Sequence, residues 1–326
     1  MKSKIPLCFY PTQIVFVDDN PEFLDALATT FSKQFNIKTF NNTASALEYI
    51  NEYQREADLV AQDAKPKLQG DSDAWVKQVL THKNVKRFDE MRVKEVSVLI
   101  VDYSMPDMNG IEFCEKIKNP AIKKILLTGY ATPADAINAF NDNVIHYYLK
   151  KNDLNMLQDL EAAINRLQHA YFNELSSSLK AAAIDSETPF FADPQLASYF
   201  QETCKSLGVT EYYYLTNPSR FALHTRGNTN YSCVIYTEED LAEHLQILQE
   251  EGAPSALCRA IESRKFVPLF KTADGYYEPG IKNAINHTYP ATHVPGRVDY
   301  YCAVIADEIT TEAPKPKPKP SSGTLH

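Results

Sequence analysis

Five polar residues stand where apolar runs end, and their types suit one kind of chemistry. Asp18 and Asp19 close the run Ile14 to Val17, Asp102 closes Val96 to Val101, Thr128 closes Lys124 to Leu127, and Lys150 closes Ile145 to Leu149. Carboxylates brought together repel one another and resist ionisation unless a cation sits among them. Oxygen ligands of this hardness suit Mg²⁺, which keeps several waters and takes one or two carboxylates plus phosphate oxygens. A lysine ammonium and a threonine hydroxyl are then placed to bind the remaining oxygens of a phosphoryl group. An isolated aspartate after a strand is ordinarily a solvated turn residue. Five matching groups, spread over four separate runs in the right order, make that reading a coincidence.

The elements that must position these groups follow from the hydrophobic pattern. Ile14 to Val17 is a strand, and Asn20-Pro21 opens a helix through Phe23, Leu24, Leu27 and Phe31. Ile37 to Phe40 is a second strand, with Thr43 capping a helix through Ala46, Leu47 and Ile50. Val96 to Val101, Lys124 to Leu127 and Ile145 to Leu149 are three further buried strands, separated by helices at Ile111 to Ile117 and Pro133 to Phe140. Alternating strands and helices predict an α/β fold with a doubly wound, five-stranded parallel sheet. In such a sheet ligands bind beyond the carboxyl ends of the strands, where the strand order reverses, and all five polar residues belong there. Residues from about 54 to 95 form an insertion too long for an ordinary connection. Its first part reads as an exposed loop, and Ala74 to Leu80, with the sole tryptophan Trp75, as a helix that docks on its own domain or on a partner.

With these residues in place the first half resembles the response-regulator receiver family, whose fold is flavodoxin-like. Asp18-Asp19 is similar to the family's acidic pair. Asp102, in the run Val-Asp-Tyr-Ser-Met-Pro-Asp-Met-Asn-Gly-Ile-Glu, resembles the phosphoacceptor, and Thr128 in Leu-Leu-Thr-Gly the switch threonine. Lys150 is read as the family lysine and Tyr147, three residues earlier, as the aromatic switch residue. The resemblance implies that Mg²⁺ is held by Asp19, Asp102 and the backbone carbonyl of Ser104, with Asp18 acting through water. It also implies a sensor histidine kinase or phosphotransfer protein as partner. Lys151 departs from the pattern, standing where a proline commonly follows the lysine, and the insertion is foreign to the usual domain.

On this reading residues 1–152 are the receiver domain, and residues 153–184, free of Pro and Gly, form one long connecting helix. Its Leu157, Leu160, Ile164, Leu167 and Tyr171 recur by three and four. They cover the receiver sheet, and beyond about Leu167 they could pair a homodimer. Residues 185–309 read as an α+β output domain: a helix, an aromatic-rich antiparallel meander, two helices and a closing strand at Tyr300 to Ala306. This order is loosely similar to PAS-type sensors. Tyr212, Tyr213, Tyr214, Phe221, Tyr231 and Tyr236 fill the core of the sheet, as aromatics preferred in strands do, or else line a ligand pocket or a partner surface. No GxSxG elbow, metal phosphodiesterase pair or basic helix-turn-helix occurs, which favours a module that binds a protein or small ligand. The other reading is an enzyme of unrecognised kind, built on Asp274, Glu278, His287 and His293. Residues 310–326 are an extended proline-lysine tail.

A net charge of −9, without a basic cluster to offset it, opposes DNA as a partner. Cys8, Cys114, Cys204, Cys233, Cys258 and Cys302 show no CxxC spacing, so they read as reduced thiols rather than zinc ligands or disulfides. Neither a signal peptide nor an apolar stretch of membrane length is visible, and a cytoplasmic protein is expected.

Overall fold

The computed structural model describes residues 4–52, 94–129, 133–183, 189–216, 219–227, 229–272 and 274–307. Two sheets carry the chain. The first is parallel and five-stranded, built from β2 (Gln13–Val17), β3 (Asn36–Phe40), β4 (Val96–Asp102), β5 (Lys123–Thr128) and β6 (Tyr147–Lys150), in the order β3-β2-β4-β5-β6. Every residue of β2, β4 and β5 is buried, as expected of central strands that helices cover on both faces. This is the doubly wound sheet that the apolar runs predict. The insertion, with its loop and its Trp75 helix, lies outside the described residues.

Helices α1 (Pro21–Phe31) and α5 (Met156–Ala183) cover one face. There Leu27, Phe31, Leu160, Ile164 and Leu167 pack on Ile14, Phe16, Val98, Ile100 and Ile125. The helix across 43–52, α2, joins α3 (Gly110–Glu115) and α4 (Pro133–Asn141) on the other face, where Ala46, Ile50, Phe113 and Ala139 meet Val15, Val17, Leu99 and Leu126. Caps set where two of these helices begin: the side chains of Asn20 and Asn109 each accept two backbone N–H bonds from the first turn. The apolar stripe of α5 is thus consumed within the chain, apart from Leu157, which is 45% exposed.

The second sheet is antiparallel and six-stranded: β1 (Cys8–Phe9), β7 (Val209–Thr216), β8 (Ser219–Thr225), β9 (Asn230–Thr237), β13 (Asp299–Ala306) and β12 (Thr292–Pro295), in the order β1-β7-β8-β9-β13-β12. A short pair, β10 (Phe266–Pro268) and β11 (Thr288–Pro290), lies beside it. Helix α6 (Pro194–Leu207) covers one face. Helices α7 (Glu238–Glu250) and α8 (Ser255–Glu262) cover the other. The aromatic residues fill these cores. Tyr212, Tyr214 and Phe221 pack under α6, Tyr236 under α7, and Tyr213 against the receiver side.

The edge strand β1 precedes the receiver in the chain yet pairs with β7, Cys8 opposite Tyr213 and Phe9 opposite Tyr212. The two halves are therefore interleaved. Leu7 donates its N–H to Ser176 Oγ of α5 at 2.8 Å, and Tyr214 donates its N–H to the Leu7 carbonyl at 2.7 Å. Just below, Glu95 accepts from the hydroxyls of Tyr10 (2.9 Å) and Tyr171 (2.6 Å). Thr12 Oγ1 lies 2.6 Å from Ser97 Oγ and accepts from Gln168 Nε2 at 2.9 Å. Buried polar groups require such partners, and these hold α5 to both the receiver sheet and the N-terminal segment.

Candidate functional site

The carboxyl ends of the parallel strands bring together residues far apart in sequence. Asp18 and Asp19 follow β2, and Asp102 ends β4 on the adjacent strand. Each offers an oxygen within 4.8 Å of the other two, the one such group among the described residues. Asp18 and Asp102 are nearly buried, at 3% and 5% exposure, whereas Asp19 faces solvent. Burial raises the Asp102 carboxyl above the usual carboxylate range; a lysine beside it opposes that rise, and Asp18 and Asp19 reinforce it. Thr128, buried at the end of β5, lies on the next strand, and Leu127 of that strand pairs with Asp102.

The lysine is Lys151. Its Nζ lies 2.6 Å from Asp18 Oδ2 and 2.9 Å from Asp102 Oδ1, and it stands 4.8 Å over the ring of Phe23. Burial would lower its pKa, but the hydrogen bonds to Asp18 and Asp102 prevail and hold the ammonium more firmly protonated than usual. Lys150, expected in this role, is the last residue of β6, pairs with Thr128 in register and is exposed. The cause is strand parity: successive side chains point to opposite faces. Leu149 and Tyr147 face the α1/α5 side, Tyr148 the α4 side. Lys150 shares the parity of Tyr148 and points away, and Lys151, the first residue beyond the strand, turns back over Phe23 on α1. Its own N–H is fixed by the Thr128 carbonyl at 2.9 Å.

The same shift applies to the aromatic residue. Tyr147 is half-buried against the α1/α5 core with the guanidinium of Arg166 4.6 Å from its ring centroid. Tyr148, three residues before Lys151, packs in the core that includes Ala139 of α4. The residue after the lysine that meets Asp18 and Asp102 is accordingly Asn152. Two adjacent lysines and two adjacent tyrosines hid this register in the sequence.

Ser104 lies in the loop that leaves β4, and that loop is closed by tight backbone contacts. Gly110 donates its N–H to the Tyr103 carbonyl at 2.9 Å. A Cβ at Gly110 would stand 2.3 Å from the Asp102 carbonyl oxygen, so only glycine lets α3 begin this close to the phosphoacceptor candidate. Thr43 Oγ1 donates to Asp107 Oδ2 at 3.4 Å, tying the loop to α2.

The donor set fits a hard divalent cation. Three carboxylates face one ammonium, and oxygens in that arrangement match the preference of Mg²⁺. The residues considered for an output enzyme do not assemble comparably. Asp274 accepts the N–H of Tyr276 in a local turn, and His293 Nε2 lies 2.7 Å from Asp299 Oδ1 on the surface. His287 lies near Phe270 and Glu278 is exposed.

Comparison with known proteins agrees with this geometry. The family model described as the response regulator receiver domain matches residues 73–162. The match includes Asp102, Thr128 and Lys151 but begins beyond Asp18 and Asp19, which the folded sheet returns to the same pocket. The chain is 26% identical to the Legionella pneumophila response regulator LqsR, whose structure it matches with a TM-score of 0.76 over 94% of this chain and 91% of that one. It is also similar to the transcriptional regulatory protein ZraR of Escherichia coli (strain K12), 28% identical over 34% of this chain and 22% of ZraR. The uncharacterized transcriptional regulatory protein YesN of Bacillus subtilis (strain 168) is 27% identical over 33% of this chain and 30% of YesN. The chain spans less than a third of the length of these two curated relatives, and the likeness stops at their matched segment. No helix among the described residues is long and apolar enough to cross a membrane. Sheet order, acidic pocket and family match converge: the chain carries a response regulator receiver domain, joined to a second, sheet-rich half.

Proposed function

We propose that the protein is a phosphorelay response regulator in which Asp102 accepts a phosphoryl group from a sensor histidine kinase, a phosphotransfer protein or a small phosphodonor. The observation that carries this reading is Lys151 bridging Asp18 and Asp102 in a pocket of three carboxylates. An Asp102 carboxylate oxygen forms the new P–O bond as the donor's P–N or P–O bond breaks. Lys151, already beside Asp102, neutralises charge that develops on the phosphoryl oxygens, and Thr128 is placed on the neighbouring strand to donate a hydrogen bond to one of them. Asp19, Asp102 and the Ser104 carbonyl would hold Mg²⁺, with Asp18 acting through water. Mg²⁺ would neutralise the carboxylates and orient the phosphoryl group.

Once Thr128 turns toward the phosphoryl group, the core beneath α4 gains room, and Tyr148 is the aromatic side chain that borders it. Helix α5 carries the change to the second half, since its residues serve both cores. That half binds a protein or small ligand, a role that its net acidic chain supports better than DNA binding, and the whole acts in the cytoplasm. Pairing of two copies along α5 would have to use residues other than its buried stripe. The test is phosphorylation with acetyl phosphate and Mg²⁺, read on Phos-tag gels. Wild type should incorporate phosphate and Asp102→Ala should not; labelling of both alike would sink the proposal.

A further inference from the structure

A cleft of about 490 Å³ lies away from the phosphoacceptor pocket, between α5, β1, the end of α6 and the start of β7. Its volume falls within the range of small-molecule sites. Three near-parallel rings build one wall. Phe9 stacks on His169 of α5, with centroids 4.9 Å apart at 20°, and on Tyr212 of β7, 5.8 Å apart at 19°. Lys205, in the last turn of α6, and Arg226, just beyond β8, also line the cleft, whereas no aspartate or glutamate does. Neither cation forms an ion pair among the described residues. The edge of β7 is irregular at this point. Pairing with β8 shifts register between Val209 and Glu211, so Thr210 leaves the regular ladder beside the cleft. Such bulges re-aim side chains and gather next to functional sites. Gly208, with φ +67°, ends α6 there and leaves open space where a side chain would stand.

Cys204, also on the wall, is not a nucleophile, because burial pushes its thiol up to about 12. Burial likewise lowers the His169 pKa, so its ring joins the wall as a neutral aromatic. The cleft is therefore lined by a stack of aromatic rings and by two cations that have no ion-pair partner among the described residues.

We propose that this cleft binds a small organic anion with a planar aromatic body, its charge met by Lys205 and Arg226 and its body seated against Phe9, His169 and Tyr212. The site is formed jointly by the N-terminal strand, the helix leaving the receiver and the output sheet.

Fluorescence titration of the full-length chain with anilinonaphthalene sulfonate, and separately with uncharged N-phenylnaphthylamine, tests the assignment. The sulfonate should bind one molecule per chain. The double variant Lys205→Glu/Arg226→Glu should weaken it about tenfold or more, equivalent to about 1.4 kcal/mol, and leave the neutral probe within about twofold. The milder pair Lys205→Ala/Arg226→Ala should fall between, with the thermal midpoint unchanged. Absence of stoichiometric binding to the wild type, equal sulfonate affinity in the charge-reversed chain, or equal weakening of both probes would overturn the proposal.

Discussion

At the residue scale, the site turns on which of two adjacent lysines enters it. Lys151→Ala should abolish or reduce phosphorylation by acetyl phosphate about a hundredfold, as loss of a charge-stabilising group does, while Lys150→Ala should stay within about twofold. Rates measured under identical Mg²⁺ would decide, and the reverse ranking would refute the assignment. Gly110→Ala forces a methyl against the Asp102 carbonyl and the Leu126 side chain. Overpacking of this kind should cost about 1–3 kcal/mol, measured by urea unfolding, and should slow phosphate uptake by displacing Asp102. A third buried aspartate makes a pH prediction. Asp193 caps α6, accepting N–H bonds from Gln195 and Leu196, and also accepts from the Arg297 N–H and the Tyr300 hydroxyl. Burial alone would raise its pKa, but the backbone N–H groups of Arg297, Gln195 and Leu196 prevail and hold it below the usual carboxylate range. A depressed folded pKa means stability that is fully present above the unfolded value, near ~4, and lost as pH falls through the folded value. The wild-type Tm should drop more steeply than that of Asp193→Asn as pH falls below about 4, and parallel curves would show that Asp193 is not responsible.

At the element scale, α5 is the part most heavily shared. Its first turns bury Leu160, Ile164 and Leu167 on the receiver sheet, and its later turns bury Tyr171 and Phe172 against Cys8, Tyr10 and Tyr213. The carboxylate of Glu95, at the start of β4, clamps this overlap through Tyr10 and Tyr171. Burial, reinforced by Glu95, keeps the Tyr10 phenol protonated well beyond its ordinary range, so its hydroxyl remains a donor. Glu95→Ala should cost about 2–4 kcal/mol, since two hydroxyls lose a charged acceptor. Hydrogen exchange should locate the loosening in residues 5–12 and the second half of α5. Loosening confined to β4 would contradict the shared role. Element type was legible from spacing: the three fully buried central strands show as continuous apolar runs, and Asn20-Pro21 marks the start of α1. Parity at the end of β6 was not, because Tyr147-Tyr148-Leu149-Lys150-Lys151 offers the same residue types to both faces.

At the scale of the whole molecule, the N-terminal strand makes the two halves one construction. Removing residues 1–9 deletes the edge strand beside β7, the Phe9 ring between His169 and Tyr212, and the Leu7 bond to Ser176. The truncated chain should unfold at a markedly lower temperature in its second half, with β7 losing amide protection first; an unchanged melting profile would show the strand to be dispensable. The sequence by itself determined the parallel sheet and the placing of Asp18, Asp19 and Asp102 at its carboxyl ends, because burial on both faces and a turn after each strand are local demands that every residue records. Only the tertiary structure decided that Lys151 supplies the ammonium, that a strand preceding the receiver completes the other sheet, and that Lys205 and Arg226 border one cleft with Phe9. Those outcomes depend on which distant segments meet, and pairing between remote stretches of chain leaves no periodic trace in either of them.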